Sequence, residues 1–149
     1  MQTQTDEFAR FVSAQARAYE HALRELAAGR KDSHWMWFIF PQLRGLGHSE
    51  MSRKYSIVSL RAARRYLAHE ILGQRLRECT ELVVNQQDKE IESIFGYVDA
   101  LKFHSCMTLF SLCSESGSPF PAAIDKYFGG SHDGNTLRLL GERGEMPTD

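Results

Sequence analysis

The chain has 149 residues, 42% hydrophobic and 25% charged, a length that suits one domain with its own core and a composition that excludes a wholly disordered protein. Net charge is -1, but residues 1–77 hold 13 Lys and Arg against 7 Asp and Glu while the rest holds 5 against 12; +6 and -7 are read as two halves that attract each other across the fold. The N-terminus lacks a basic start with an apolar stretch and no run approaches membrane-span length, while Cys79, Cys106 and Cys113 show no Cys-x-x-Cys spacing, so the expectation is a cytoplasmic protein with no membrane partner, disulfide framework or zinc site.

In chain order, the periodicity predicts a first helix over Asp6 to Ala28, with Phe8, Phe11, Val12, Tyr19, Ala22, Leu23 and Leu26 on one stripe and Thr5 and Gly29 as caps. Gln15 falls near the centre of that stripe, and a buried amide needs partners. The stretch Lys31 to Gly47 holds both tryptophans, and every residue from Trp35 to Phe40 is large and apolar. Ser33 could cap a short helix through this run, which Pro41 would end. A strand is the competing reading; the helix is preferred because the rest of the chain reads helical, and as a helix the run is apolar all round, hence central and surrounded.

Ser49 caps a short helix toward Tyr55, and Ser59 opens Leu60 to Ala68 with Arg61, Arg64 and Arg65 on the solvent side. Another helix is expected from about Glu70 to Val84, and Asp88 is read as the cap of a short segment closed by Gly96. Asp99 is read as the cap of Ala100 to Leu112, where Phe103, Cys106, Met107, Leu109, Phe110 and Cys113 share one sector and His104, Ser105, Thr108 and Ser111 lie opposite. Lys102 stands on the line of Cys106, Leu109 and Cys113, so it must snorkel or meet an anion. Ser118-Pro119 opens a helix to Phe128 that ends in Gly129-Gly130, and a final turn after Asp133 carries Leu137, Leu139 and Leu140. The expected fold is all-α, one compact orthogonal helical domain over residues 1–140 with about six to eight helices around the aromatic segment, followed by a mobile tail over 141–149.

Strings along this chain are specific enough to mark a family. Phe8 to Gln15, Tyr19, Gly29 to Lys31, His34 to Gln42, Gly45 to Gly47, Tyr66 to His69, Leu72-Gly73, Ile94 to Gly96, Lys102, Met107 to Phe110 and Tyr127 to Gly130 together resemble the bacterial domain-of-unknown-function 1810 family (DUF1810) over residues 8 to 140. Glu70 departs from it, standing where proline would follow the histidine. The resemblance implies a mainly helical domain and no established reaction. The label calpastatin, often attached to such chains, does not fit, since a calpain inhibitor is expected to be a disordered, repeat-bearing chain and this one has an aromatic core.

The candidate ligand-binding residues are Gln15, Tyr19, Lys31, His34, Trp35, Trp37, Gln42, Arg44 and Lys102. Trp35 and Trp37 could stack a planar ligand while Lys31 or Arg44 holds an anionic group, and His34, with a side chain that titrates near neutrality, is the candidate general base. Core packing explains the aromatic residues equally well. Gln15, Gln42 and Lys102 each conflict with an apolar neighbourhood; if they converge on the Trp35 to Pro41 segment, they would line a pocket with an aromatic wall and a cationic rim, suited to a nucleotide-like or phosphorylated small molecule. Hydrolase or transferase chemistry is left open, and the alternative is a protein-interaction or homo-oligomerising module. Neither a metal nor a cofactor is indicated: the histidines lack His-x-x-x-His spacing, no Walker, Gly-x-Gly-x-x-Gly or Gly-x-Ser-x-Gly motif occurs, and Arg61, Arg64 and Arg65 are read as a solvated face, not a nucleic-acid surface.

Overall fold

Each helical stripe in the sequence is a helix in the computed structural model, which describes residues 7–147. The elements are α1 (Ala9–Ala27), α2 (Met36–Ile39), α3 (Glu50–Lys54), α4 (Leu60–Ala68), α5 (Leu72–Val84), α6 (Ile91–Phe95), α7 (Tyr97–Ser111), α8 (Pro119–Phe128) and α9 (Gly134–Glu142). The fold is all-α; between helices, an isolated parallel bridge joins Leu43 to Ile57. These nine helices among the described residues exceed the expected six to eight. The segment read as a final turn is a helix of nine residues, and the Asp133 carboxylate caps it by accepting from the Thr136 amide at 2.9 Å.

Helix α7 is the inner element, packing against α4, α6, α8 and α9, while α5 packs against α1, α4 and α8. Around α7, Phe40 meets Phe103 edge-on at 5.0 Å, Phe95 stacks on Phe103 at 5.0 Å, and Tyr66 approaches Phe110 at 5.6 Å, geometries that add to the burial of the rings themselves. The central run is the short helix α2. Trp35, Met36, Phe38, Ile39 and Phe40 are buried, whereas Trp37 is half-buried and breaks the expectation of a fully surrounded segment. Gly73 lets α5 start against α4: a β-carbon there would overlap the Leu67 carbonyl.

Several expected caps take other work. Ser49 and Ser59 cap α3 and α4 as read, accepting from the Ser52 and Ala62 amides. Ser33 does not cap α2, because its hydroxyl is turned onto Glu25. Asp88 adopts a left-handed φ of 58° and leaves Glu90 at the start of α6, which has no side-chain cap. Asp99 lies inside α7, since Gly96, at φ 81°, lets the helix begin two residues before it. Ser105 and Thr108, expected to lie opposite the apolar sector, are buried under α9: Ser105 donates to the Asp133 carboxylate at 3.3 Å and Thr108 Oγ1 accepts from the Asp133 amide at 2.8 Å. The Thr5 cap lies outside the described residues.

At the C-terminal end α9 runs to Glu142, past the expected boundary at 140. Arg143 donates to the Arg44 carbonyl at 2.5 Å and Glu145 accepts from the Leu60 amide at 2.8 Å. The charge asymmetry is realised in part, with Lys31 pairing Asp99 and Arg77 pairing Glu115 across the two halves, each at 2.8 Å. No helix among the described residues is long and apolar enough to cross a membrane.

Candidate functional site

Glu25 builds one side of the site. It stands near the end of α1, which Gly29 terminates at φ 76°, so the following strand of loop doubles back past it. Its Oε1 accepts from the amides of Asp32 (2.8 Å) and Ser33 (2.9 Å) and from the Trp35 indole (2.9 Å), and its Oε2 accepts from the Ser33 hydroxyl at 2.6 Å. Burial by itself would raise the Glu25 pKa; the bonds from Ser33, Asp32 and Trp35 outweigh it and hold the carboxyl down to about 2. Lys31 is fixed by its own amide, which donates to the Ile94 carbonyl at 2.8 Å.

The loop thus delivers Lys31 to α7. Lys31 Nζ lies 2.8 Å from one Asp99 oxygen and Lys102 Nζ 3.7 Å from the other, with side-chain exposures of 9%, 21% and 19% for Lys31, Lys102 and Asp99. Two ammonium groups share one carboxylate, an excess of one positive charge among these three side chains. Each lysine also faces an indole: Lys31 Nζ is 5.1 Å from the Trp35 ring and Lys102 Nζ 5.1 Å from that of Trp37, within cation–π range. At 3.7 Å the Lys102–Asp99 approach is an ion pair without a hydrogen bond. Lys102 Nζ makes no hydrogen bond among the described residues.

Beside Lys102, a narrow cleft of about 10 Å³ is lined by Trp37, Phe40, Gln42, Leu43, Gly47, Ser52, Tyr55 and Lys102. That volume admits one water-sized group. Tyr55 is 8% exposed, and neither its hydroxyl nor the Gln42 amide makes a hydrogen bond among the described residues. Ser52 receives a bond from the Ser49 hydroxyl at 3.0 Å. The cleft therefore gathers an ammonium, an amide and two hydroxyl-bearing residues against an indole wall.

The expected convergence of Gln15, Gln42 and Lys102 is met only by the last two. Gln15 is buried as a brace between helices: its Nε2 donates to the Phe38 carbonyl (2.7 Å) and the Tyr66 hydroxyl (3.4 Å), and its Oε1 accepts from Arg75 at 3.3 Å. Tyr19 belongs to the same brace, donating to Glu78 with its ring 4.4 Å from the Arg75 guanidinium. His34 is exposed, lies outside the cleft lining and makes no hydrogen bond among the described residues. Arg44 is also exposed, its amide tied to the Ile57 carbonyl at 2.8 Å. Lys31, Trp35, Trp37, Gln42 and Lys102 thus form one neighbourhood, together with Asp99 and Glu25, which sequence reading missed. Asp99 had a signal, its i,i+3 spacing to Lys102. Glu25 had none, since three of its four donors are backbone amides or an indole brought back by the chain reversal. Among the described residues, no three His, Cys, Asp or Glu side chains gather as a metal site requires.

A family described as "Protein of unknown function (DUF1810)" matches the chain over residues 5–140. Among solved structures, the chain is similar to the conserved hypothetical protein Rv1873 from Mycobacterium tuberculosis, with 50% identity over 91% of this chain and 96% of that one and a TM-score of 0.89. No curated protein matches the chain.

Proposed function

Since the chain belongs to the DUF1810 family, described only as proteins of unknown function, we propose from its geometry that it binds a small nucleotide-like or phosphorylated anion at the mouth of the Trp37–Lys102 cleft. The observation that carries this reading is Lys102, a largely covered ammonium with an indole on one side, a shared carboxylate at 3.7 Å and no hydrogen bond among the described residues. An incoming phosphoryl or carboxylate oxygen would give it a charge-assisted hydrogen bond, worth about 1.5–3 kcal/mol. Gln42 and Tyr55 line the same cleft with polar side chains. The cleft takes only a terminal oxygen, so the rest of the ligand lies outside it, with a planar moiety on the exposed part of Trp37. His34 stands outside the cleft lining, and the reading stops at binding. The three cysteines are free thiols, which supports placing this activity in the reducing cytoplasm.

The test is a thermal-shift and calorimetric screen of nucleoside monophosphates and sugar monophosphates against the wild type and Lys102→Met. A ligand at about a hundredfold over its Kd should stabilise the wild type by about 2.7 kcal/mol, a shift of several degrees. The shift should vanish in Lys102→Met, whose own stability should stay within about 1 kcal/mol of wild type because the lost pair is long and partly exposed. A ligand that binds Lys102→Met at full affinity sinks the reading.

A second reading, self-association, is supported by Tyr97, Val98 and Leu101, which leave 66%, 61% and 51% of their surface exposed at the start of α7. If no ligand shifts the wild type and sedimentation instead shows a concentration-dependent dimer that Leu101→Asp dissolves, this reading replaces the first.

A further inference from the structure

Tyr55 also lines a second, wider concavity of about 260 Å³, formed with Arg10, Ser13, Ala14 and Arg17 of α1 and Lys54 at the end of α3. Positions 10, 13, 14 and 17 fall on one face of α1 over successive turns, so three cations border a single groove whose lining contains no acid. Arg10 is clamped in place: its Nε donates to the Lys54 carbonyl at 2.5 Å, its Nη1 to the Glu7 carbonyl at 2.5 Å and its Nη2 to the Ser56 carbonyl at 3.3 Å. Arg17 and Lys54 are exposed and make no ion pair among the described residues, Lys54 Nζ lying 5.3 Å from the Tyr55 ring. The neighbouring carboxylate, that of Glu7, is already held by Arg65 through bonds of 2.6 and 2.8 Å. Burial first, and then the positive charge of Arg44 outside the groove, lower the Arg10 pKa, while Glu7 and Tyr55 act the other way.

Three cations around a lining without an acid suit an anion, and its chemistry is narrow. The fixed guanidinium keeps two of its five N–H groups for phosphoryl oxygens, and two exposed cations beside it suit a ligand with several negative charges close together. We propose that this groove is a binding site for a short inorganic polyphosphate chain. It does not depend on the Lys102 cleft.

The experiment is isothermal titration of tripolyphosphate into the wild type, Arg17→Gln, Lys54→Gln, Ser13→Glu and Lys102→Met. Arg17, Lys54 and Ser13 are exposed and make no side-chain bonds among the described residues, so these variants should melt with the wild type. The expected result is one bound equivalent in the wild type, affinity weakened about tenfold or more by Arg17→Gln and by Lys54→Gln, abolition by Ser13→Glu, and no change in Lys102→Met. Absence of binding to the wild type overturns the proposal. So does undiminished affinity in Arg17→Gln, Lys54→Gln and Ser13→Glu, and so does loss in Lys102→Met alone, which would put the phosphates in the cleft.

Discussion

Replacing Glu25 by Gln keeps the shape of the side chain and removes the charge on which the 32–35 loop is built. Four donors converge on that carboxylate, two of them backbone amides and one the indole of buried Trp35. A neutral amide can still accept, but charge-assisted bonds become ordinary ones, and Glu25→Gln should cost about 1–2 kcal/mol at neutral pH. The carboxyl is held at about 2 against an ordinary 4.5, which sets a ceiling of about 3 kcal/mol; the side chain is half-buried, so solvent screening brings the value to about 1–2 kcal/mol. Because the folded pKa lies below the unfolded one, the unfolded chain takes up the proton first. The contribution is full above about pH 4.5 and fades as pH falls toward about 2. Glu115, held at about 2 chiefly by hydrogen bonds from Arg77, titrates in both proteins and cancels from their difference. Urea unfolding followed by circular dichroism at several pH values should therefore show a gap between wild type and Glu25→Gln that shrinks by more than half at about pH 3. A gap that is absent at neutral pH, or that persists unchanged in acid, would refute the reasoning.

Trp35 is 1% exposed and Trp37 half-buried, so in urea melts Trp35→Ala should cost about 3–5 kcal/mol and Trp37→Ala about 1–2; equal costs would mean that their surroundings are misassigned. Gly73→Ala should cost about 3 kcal/mol or more in the same assay, because its β-carbon would meet the backbone carbonyl of Leu67, which a side-chain shift cannot relieve. A Gly73→Ala protein as stable as wild type would show that α4 and α5 can slide apart.

What could be read from the sequence is what local rules govern. Ser49 and Ser59 announce α3 and α4 because a cap acts within three residues. The conflict of Gln15 and Lys102 with their apolar stripes was visible too; Gln15 is satisfied by the Phe38 carbonyl, Tyr66 and Arg75, whereas Lys102 has Asp99 and the Trp37 face beside it and no hydrogen bond among the described residues. The partners themselves come from other elements, and no spacing along α1 could have told that Gln15 braces the fold while Gln42 joins Lys102. Asp99 was misread because a residue that can cap looks the same as one in the first turn; the difference lay in Gly96, whose φ of 81° starts α7 earlier. The burial of Ser105 and Thr108 followed from the same kind of error, since only a full α9 over them supplies the Asp133 groups they bond.

The placement of the two tryptophans has a spectroscopic consequence. The chain has only these two, one sealed with its indole N–H on a carboxylate and the other half-open at the cleft beside an ammonium. Their emission should separate into a blue component from Trp35, deaf to soluble quenchers until the protein unfolds, and a redder component from Trp37 that quenchers reach in the native state. The first reports the integrity of the fold and the second the occupancy of the cleft, so one natural chromophore pair distinguishes a variant that has lost its ligand from one that has lost its structure.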